Sequence, residues 1–310
     1  MFHYKFREID KEILSKLNSD KKFDNYPIIL KEMLAMRDYS RIDKFLPYDL
    51  LDNAKEGAEY LFKAIKDKKK MCIIADYDVD GATSCAIMYS GLKFFGADIN
   101  YYVPDRFKHG YGLQKTVIDD MLLSFPDNEI IITVDNGIAS IDGVNYANDK
   151  NMEVLVTDHH LQGEELPDAV LIINPNKNSD TFPSKALAGC GVAFYVMIAL
   201  RDVFINKEIS KINSEIETEL NDKVRKIKLK YDISFLLDYL AIGTVADVVS
   251  LDENNRLIVE TGLNRIKSGK ANVGIKALCN VKDIDEKKIT TSDIGFKIGP
   301  VLNAAGRLKN

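Results

Sequence analysis

From about residue 50 the chain alternates between two hydrophobic periods. The stretch 53–69, "NAKEGAEYLFKAIKDKK", spaces its apolar residues as a helix does and leads into the continuous apolar run "MCIIA" at 71–75. The alternation continues with a helical 82–95, a strand "INYYV" (99–103), a helical 114–124, a strand "IIITV" (130–134) and a helical 139–149. Strands "EVLVT" (153–157) and "AVLII" (169–173) follow. Short apolar runs of this kind are strands buried on both faces. Separated by helices, they predict an α/β fold, a parallel sheet of about five strands covered by helices on both faces.

The two ends of the chain read differently. Residues 1–49, with "LSKLNSDKKFDNYPIILKEML" at 14–34, are charged and loosely amphipathic and predict a helical arm. After 173 the pattern is helical. "ALAGCGVAFYVMIALRDVF" (186–204) is a buried helix that opens on small residues, 206–230 is an exposed helix or insertion, and 233–249 and 254–267 are two further packed helices. The domain reading is therefore an arm over 1–49 and a catalytic domain over 50–310, with an α/β core at 50–204 and a helical part at 205–310. The sequence given ends at residue 310 with "GPVLNAAGRLKN" and no closing element, so the chain is expected to stop before its architecture does.

Composition narrows the classes. The formal net charge of −5 over 310 residues argues against a generally basic nucleic-acid binder, although a local basic groove stays open. The clusters "KDKKK" (66–70) and "KVRKIKLK" (223–230) read as solvated faces. Four cysteines at 72, 85, 190 and 279 form no CxxC, which disfavours a thiolate metal cluster or a disulfide framework and suits a reducing, cytoplasmic setting. The N-terminus lacks a signal-peptide layout, and no apolar run is read as long enough to span a membrane.

The strand ends carry the chemistry. In an open parallel sheet, ligands bind beyond the carboxyl ends of the strands. Those ends deliver Asp76, Asp78 and Asp80, then Arg106 in "PDR", Asp135 and Asn136 in "VDNG", Asp158, His159 and His160 in "TDHH", and "NP" at 174–175. Taken singly, each is ambiguous. An aspartate after a strand can be a helix cap. DxDxDG can begin a calcium loop, but "GATSCAIMY" supplies none of the remaining ligands. Adjacent histidines can be core residues. Taken together, they suit a pair of divalent cations clamping the oxygens of a phosphoryl displacement, with Mn²⁺ or Mg²⁺ fitting a carboxylate-rich set better than structural Zn²⁺. A helix starting near Gly81 aims its positive end at the same place.

"ADYDVDGATS", "VDNG", "TDHH" and "GTVADVV" stand in the order of the motifs of the DHH phosphoesterases, and the chain resembles that family over roughly residues 50–308. "VPDR…GYGL", "LAGCGVAF" and "GPVLNAAGRL" resemble its RecJ branch, 5′→3′ exonucleases of single-stranded DNA that serve DNA repair and recombination. The resemblance implies that Asp78 and Asp80 bind one metal each and that Asp135 bridges the two. His159 and Asp247 would complete the second site, with Asp76 a further ligand or a close neighbouring acid. Asp158 would orient the histidines and His160 would face the scissile phosphate. Arg106 would meet a 5′-phosphate and Arg307 the DNA backbone. A water made acidic by the cations would attack phosphorus and release a nucleotide. Ser250 stands where the family usually has proline.

The family's DHHA1 and oligonucleotide-binding domains have no counterpart in 1–310. The expectation is a catalytic amino-terminal portion that keeps metal binding but whose processive digestion is weak or lost, and that would meet a single-strand-binding protein only through those other domains. Two alternatives remain at this stage. One is a phosphodiesterase of short oligonucleotides or cyclic dinucleotides, the other a catalytically weak DNA-binding fragment. A catalytically silent binding module would be expected to have lost metal acids, and Asp78, Asp80, Asp135, His159 and Asp247 are all present here; low activity of the bare fragment stays open.

Overall fold

The computed structural model describes residues 8–36, 42–212 and 217–306. It divides into two compact units, residues 1–45 and 46–310. The first carries α1 (Lys11–Ser19), capped by Asp10, and α2 (Ile28–Ala35), around a small core of Leu17, Phe23 and Ala35.

The second unit opens with α3 (Ala54–Lys66), β1 (Lys70–Ala75), α4 (Val79–Phe94), β2 (Asp98–Tyr102), α5 (Arg106–His109), α6 (Lys115–Ser124) and β3 (Ile130–Val134). It continues through α7 (Ile141–Asp149), β4 (Glu153–Thr157), β5 (Leu171–Ile173), α8 (Gly189–Ile209) and α9 (Glu217–Lys230). The remaining helices are α10 (Leu237–Ala246), α11 (Glu253–Arg265), α12 (Val273–Val281), the short α13 (Thr291–Asp293) and α14 (Gly299–Ala305). The sheet is wholly parallel in the order β2-β1-β3-β4-β5. The α/β fold expected from the hydrophobic pattern is the one the structure has.

One sheet face is sealed by α6 and α7 through Val117, Ile118, Met121, Val144 and Ala147 packed on Cys72, Ile74, Ile131, Val154 and Val156. On the other, α8 packs against α3, α4 and α10. A second core, built on Ile242, Val259, Ile266, Ile275 and Ile298, holds the C-terminal helices together.

The departures from the sequence reading have local causes. β2 is an edge strand with only Ile99 buried, so it lacks the two-sided burial of its neighbours. β5 shrinks to three residues. α4 begins at Val79, ahead of the expected 82, because Asp78 caps it by accepting from the Gly81 amide at 2.9 Å. α8 reaches Ile209 and takes up the first residues of the stretch read as an exposed insertion. Contrary to the expectation that no apolar run reaches membrane-spanning length, α8 has the length and apolarity to do so; 72% of its most apolar window is buried inside the protein.

The strand order places a topological switch between β1 and β3, where successive crossovers leave to opposite sides and open a crevice at the carboxyl edge. The pairing is in register there, with Ala75 opposite Val134, Val134 opposite Thr157 and Thr157 opposite Ile173. The next residue along each strand is therefore Asp76, Asp135, Asp158 and Asn174, one row just past the sheet. The amides of the first three still reach across to Val134, Thr157 and Ile173.

Candidate active site

This row of polar residues is joined by others from helix ends. Asp76, Asp78 and Asp135 have carboxylate oxygens within 4.8 Å of one another, and so do the ligating atoms of Asp80, His159 and Asp247. His159 Nε2 links the groups, standing 3.1 Å from Asp135 Oδ1, 3.8 Å from Asp80 Oδ2 and 3.7 Å from Asp247 Oδ2. Asp135, His159 and His160 form a third such group. Eight of the ten residues singled out from the sequence thus meet in one place. Arg106 lies at its margin, and Arg307 lies outside the described residues.

Each acid is held by local backbone geometry. Asp135 takes the left-handed conformation (φ 59°), followed by Gly137 at φ 118°, where a side chain would collide with Thr133. Asn136 fastens this turn by donating through Nδ2 to the carbonyls of Ile74 (3.1 Å) and Val134 (2.9 Å). Asp80 is buried in the first turn of α4 and faces the start of α8. The amides of Gly189 and Cys190 donate to its two oxygens at 2.6 and 2.9 Å. This pairing explains "LAGCG", which the sequence offered as a helix start and a family motif but with no structural role. Gly81 is equally constrained, since a Cβ there would lie 2.3 Å from the Asp76 carbonyl oxygen.

Asp247 sits at the C-terminal end of α10, the negative end of a helix dipole and an unfavourable place for a carboxylate without a cation. It is largely buried, with 21% of its side chain exposed where the helix end opens at the mouth of the site. Val248, which follows it, is 85% exposed and has φ 59°, a strained conformation for a β-branched residue. Val248→Asn is expected to stabilise the protein by about 1 kcal/mol, since asparagine tolerates this conformation. Thermal unfolding should shift upward by a few degrees; a lower midpoint would show that the backbone there is unstrained.

The electrostatics favour a bound cation. Burial pushes the Asp76 carboxyl up to about 6 and that of Asp247 up to about 7, with neighbouring aspartates adding to both. Burial raises Asp80 as well, and raises Asp135 well above the carboxylate range, where repulsion from Asp80 and Asp78 reinforces it. Among the described residues, no lysine or arginine forms an ion pair with Asp76, Asp78, Asp80, Asp135 or Asp247. Asp135 Oδ1 is buried with no hydrogen-bond partner, although His159 Nε2 stands 3.1 Å away. Burial also lowers the pKa of His159, which favours the neutral imidazole that ligates metals. A hard divalent cation answers all of these demands, and the donor set fits one.

Asp158 has the opposite character. Burial opposes its ionisation, but hydrogen bonds from His160 and from the Ile138 amide outweigh this and lower its pKa. Its Oδ1 accepts from the amides of His159 (2.7 Å) and His160 (3.2 Å) and pairs with His160 Nδ1 (2.7 Å), while Oδ2 accepts from the Ile138 amide (2.9 Å). Asp158 is saturated and spaces the two imidazoles. From β5, Asn174 donates to the His160 carbonyl at 2.9 Å and Asn176 to the His159 carbonyl at 2.5 Å, so the histidine pair is clamped from both sides. The sequence offered "NP" here as a strand end but gave no sign of the clamp. The guanidinium of Arg106 lies over the Tyr77 ring, 5.0 Å from its centroid.

Comparison with known proteins agrees with this geometry. Residues 70–244 match the family described as DHH family, N-terminal domain. The chain is 42% identical over 293 residues to the single-stranded-DNA-specific exonuclease RecJ of Dickeya dadantii, covering 92% of this chain and 48% of that protein. It is 44% identical over 268 residues to the Escherichia coli protein of that name, covering 85% and 43%. The chain thus spans about half the length of the curated relatives it matches. Among solved structures, an exonuclease RecJ bound to manganese superposes with a TM-score of 0.67 at 28% identity, covering 83% of this chain and 58% of that one. RecJ from Thermus thermophilus in complex with Mn²⁺ gives 0.63 at 26% identity, covering 85% and 34%.

Proposed function

The chain belongs to the DHH family, and on that premise we propose that it is the catalytic portion of a two-metal exonuclease that shortens single-stranded DNA from a 5′ end. The observation that carries this reading is the crowding of five carboxylates and a neutral-leaning imidazole at the switch point with, among the described residues, no lysine or arginine paired to them. Asp78 and Asp80 would each hold one divalent cation, Mn²⁺ or Mg²⁺, and Asp135 would touch both. His159 and Asp247 would complete the second site, with Asp76 beside the first. When bound, the cations supply the Lewis acidity that makes a water nucleophilic and draws charge from the phosphate.

The chain's own residues do the rest. His160, braced by Asp158, faces the scissile phosphate and donates to its oxygens. Arg106, resting on Tyr77, meets the terminal 5′-phosphate with a planar fork of donors. Arg307, by resemblance alone, contacts the strand's backbone. The protein works in the cytoplasm, which suits four buried cysteines that are all unpaired. A single-strand-binding protein would be met through regions outside residues 1–310.

The direct test compares Mn²⁺-dependent hydrolysis of a long 5′-phosphorylated strand with that of a dinucleotide. Preference for the dinucleotide would replace this substrate class with the short oligonucleotides that other DHH enzymes take. Arg106→Gln should erase about 10-fold or more of any preference for 5′-phosphate over 5′-hydroxyl ends, measured as a ratio of kcat/KM values; an unchanged ratio assigns the phosphate elsewhere. Asn174→Ser should weaken Mn²⁺ binding about 10-fold by freeing the histidine backbone, read by calorimetric titration. Unaltered affinity would make the clamp purely structural.

A further inference from the structure

Between α5 and α6 the chain turns around an exposed aromatic residue, Tyr111. Gly110 (φ 72°) and Gly112 (φ 77°) both take left-handed conformations, so Tyr111 stands out between two sharp turns. The segment is fastened on each side. His109 is buried, its Nδ1 accepting from the Asp105 amide at 3.1 Å and its Nε2 lying 2.8 Å from Asp120 Oδ2. Beyond the tyrosine, the Leu113 amide donates to Ser140 Oγ at 3.0 Å, and Gln114 Nε2 donates to the Tyr111 carbonyl at 2.9 Å. A side chain at position 112 would press on the same serine hydroxyl, at 2.9 Å. Such anchoring is more than a surface loop needs.

What it presents is a phenol to an imidazole. The Tyr111 hydroxyl lies 3.2 Å from His160 Nε2 and 3.3 Å from Nδ1, with the rings edge to face at 5.8 Å. His160 Nδ1 is also 2.7 Å from Asp158 Oδ1. An ionised Asp158 can only accept, so Nδ1 carries a proton and Nε2, when the ring is neutral, is left with its lone pair. In that state the phenol O–H is the donor; the bond to Asp158 raises the His160 pKa, and in the protonated ring Nε2–H donates instead, to the phenol oxygen or to an arriving phosphate. Burial and the charges of Asp158, Asp135, Asp76 and Asp78 raise the Tyr111 pKa, which keeps that donor in place. Tyr111 is 46% exposed, so the core gains little from its ring.

We propose that Tyr111 is a positioning residue for the reaction, its hydroxyl and the Asp158 carboxylate together fixing the His160 ring before a phosphate arrives. The proposal rests on the reading that His160 meets the scissile phosphate. Orientation fixed in advance raises the rate of the chemical step and leaves binding of the rest of the strand alone.

Tyr111→Phe, which keeps the ring and removes only the hydroxyl, tests this on the full chain. Nitrogen–proton spectra of the imidazoles are tractable because the sequence holds four histidines, and His160→Gln assigns the signal of interest. The expected result is a shift of the His160 ring signals, with those of His109 unmoved. It is accompanied by a fall in kcat of about 10-fold on a 5′-phosphorylated single strand, with KM and the Mn²⁺-induced thermal shift unchanged. Unmoved His160 signals, or a raised KM with kcat intact, would overturn the proposal. A wild-type chain that cleaves a dinucleotide but no single strand would sink the exonuclease reading instead, and the spectra would still decide whether Tyr111 orders His160.

Discussion

Asp135→Asn is expected to stabilise the metal-free protein while destroying its activity. Asparagine has nearly the shape of aspartate and accepts the left-handed conformation at 135, so the turn survives. The substitution removes a carboxyl whose ionisation is opposed by burial and by repulsion from Asp80, Asp78, Asp158 and Asp76. Relief of that repulsion should be worth on the order of 1–3 kcal/mol in chelator, read as a higher urea midpoint. In Mn²⁺ the order reverses. Wild type should gain about 2.7 kcal/mol at a metal concentration near 100 times Kd, and the variant should gain little. Cleavage should fall about 10³-fold or more, equivalent to roughly 4 kcal/mol of transition-state stabilisation. If the variant kept the wild-type response to Mn²⁺, Asp135 would not be the shared ligand.

This opposition between stability and function explains why part of the site could be read from the sequence. Asp76, Asp135 and Asp158 each follow an apolar strand directly, and a parallel sheet in register turns that position into one row of side chains. Sequence alone therefore places them together. It also leaves the bland reading of Asp78 partly right, since that residue does cap α4 as well as face the cluster. Contacts made between distant elements were not legible. The start of α8 lies more than a hundred residues from Asp80 yet supplies both of its amide donors. Asn174 and Asn176 grip the histidine backbone from another strand, and Tyr111 reaches His160 across a loop. No periodicity encodes such pairings, because they depend on how helices dock on the finished sheet. The exposure of β2 was missed for a related reason: a strand's place at the edge is a property of the whole sheet.

The docking of α8 yields the second large effect, at a residue that bears no functional group. Gly189 does not need a glycine's backbone, since it is the first residue of a regular helix. By propensity alone, alanine there would favour α8 by up to about 1 kcal/mol. Its Cβ, however, would stand 2.7 Å from both Cβ and Oδ1 of Asp135. Asp135 has no room to retreat, because its amide is bonded to Thr157 and the following asparagine is tied to two strands. Gly189→Ala should therefore displace the carboxylate and tilt the amides that hold Asp80. Mn²⁺ affinity should drop at least about 10-fold and cleavage about 100-fold, with the fold retained by circular dichroism. Gly191→Ala supplies the control. There the new Cβ meets the buried side chain of Leu187 and no part of the site, so stability should fall by about 1–3 kcal/mol and Mn²⁺ binding should not change. Identical behaviour of the two variants would mean that α8 only packs. A loss confined to Gly189→Ala would mean that the helix start is built to the dimensions of the two aspartates it faces.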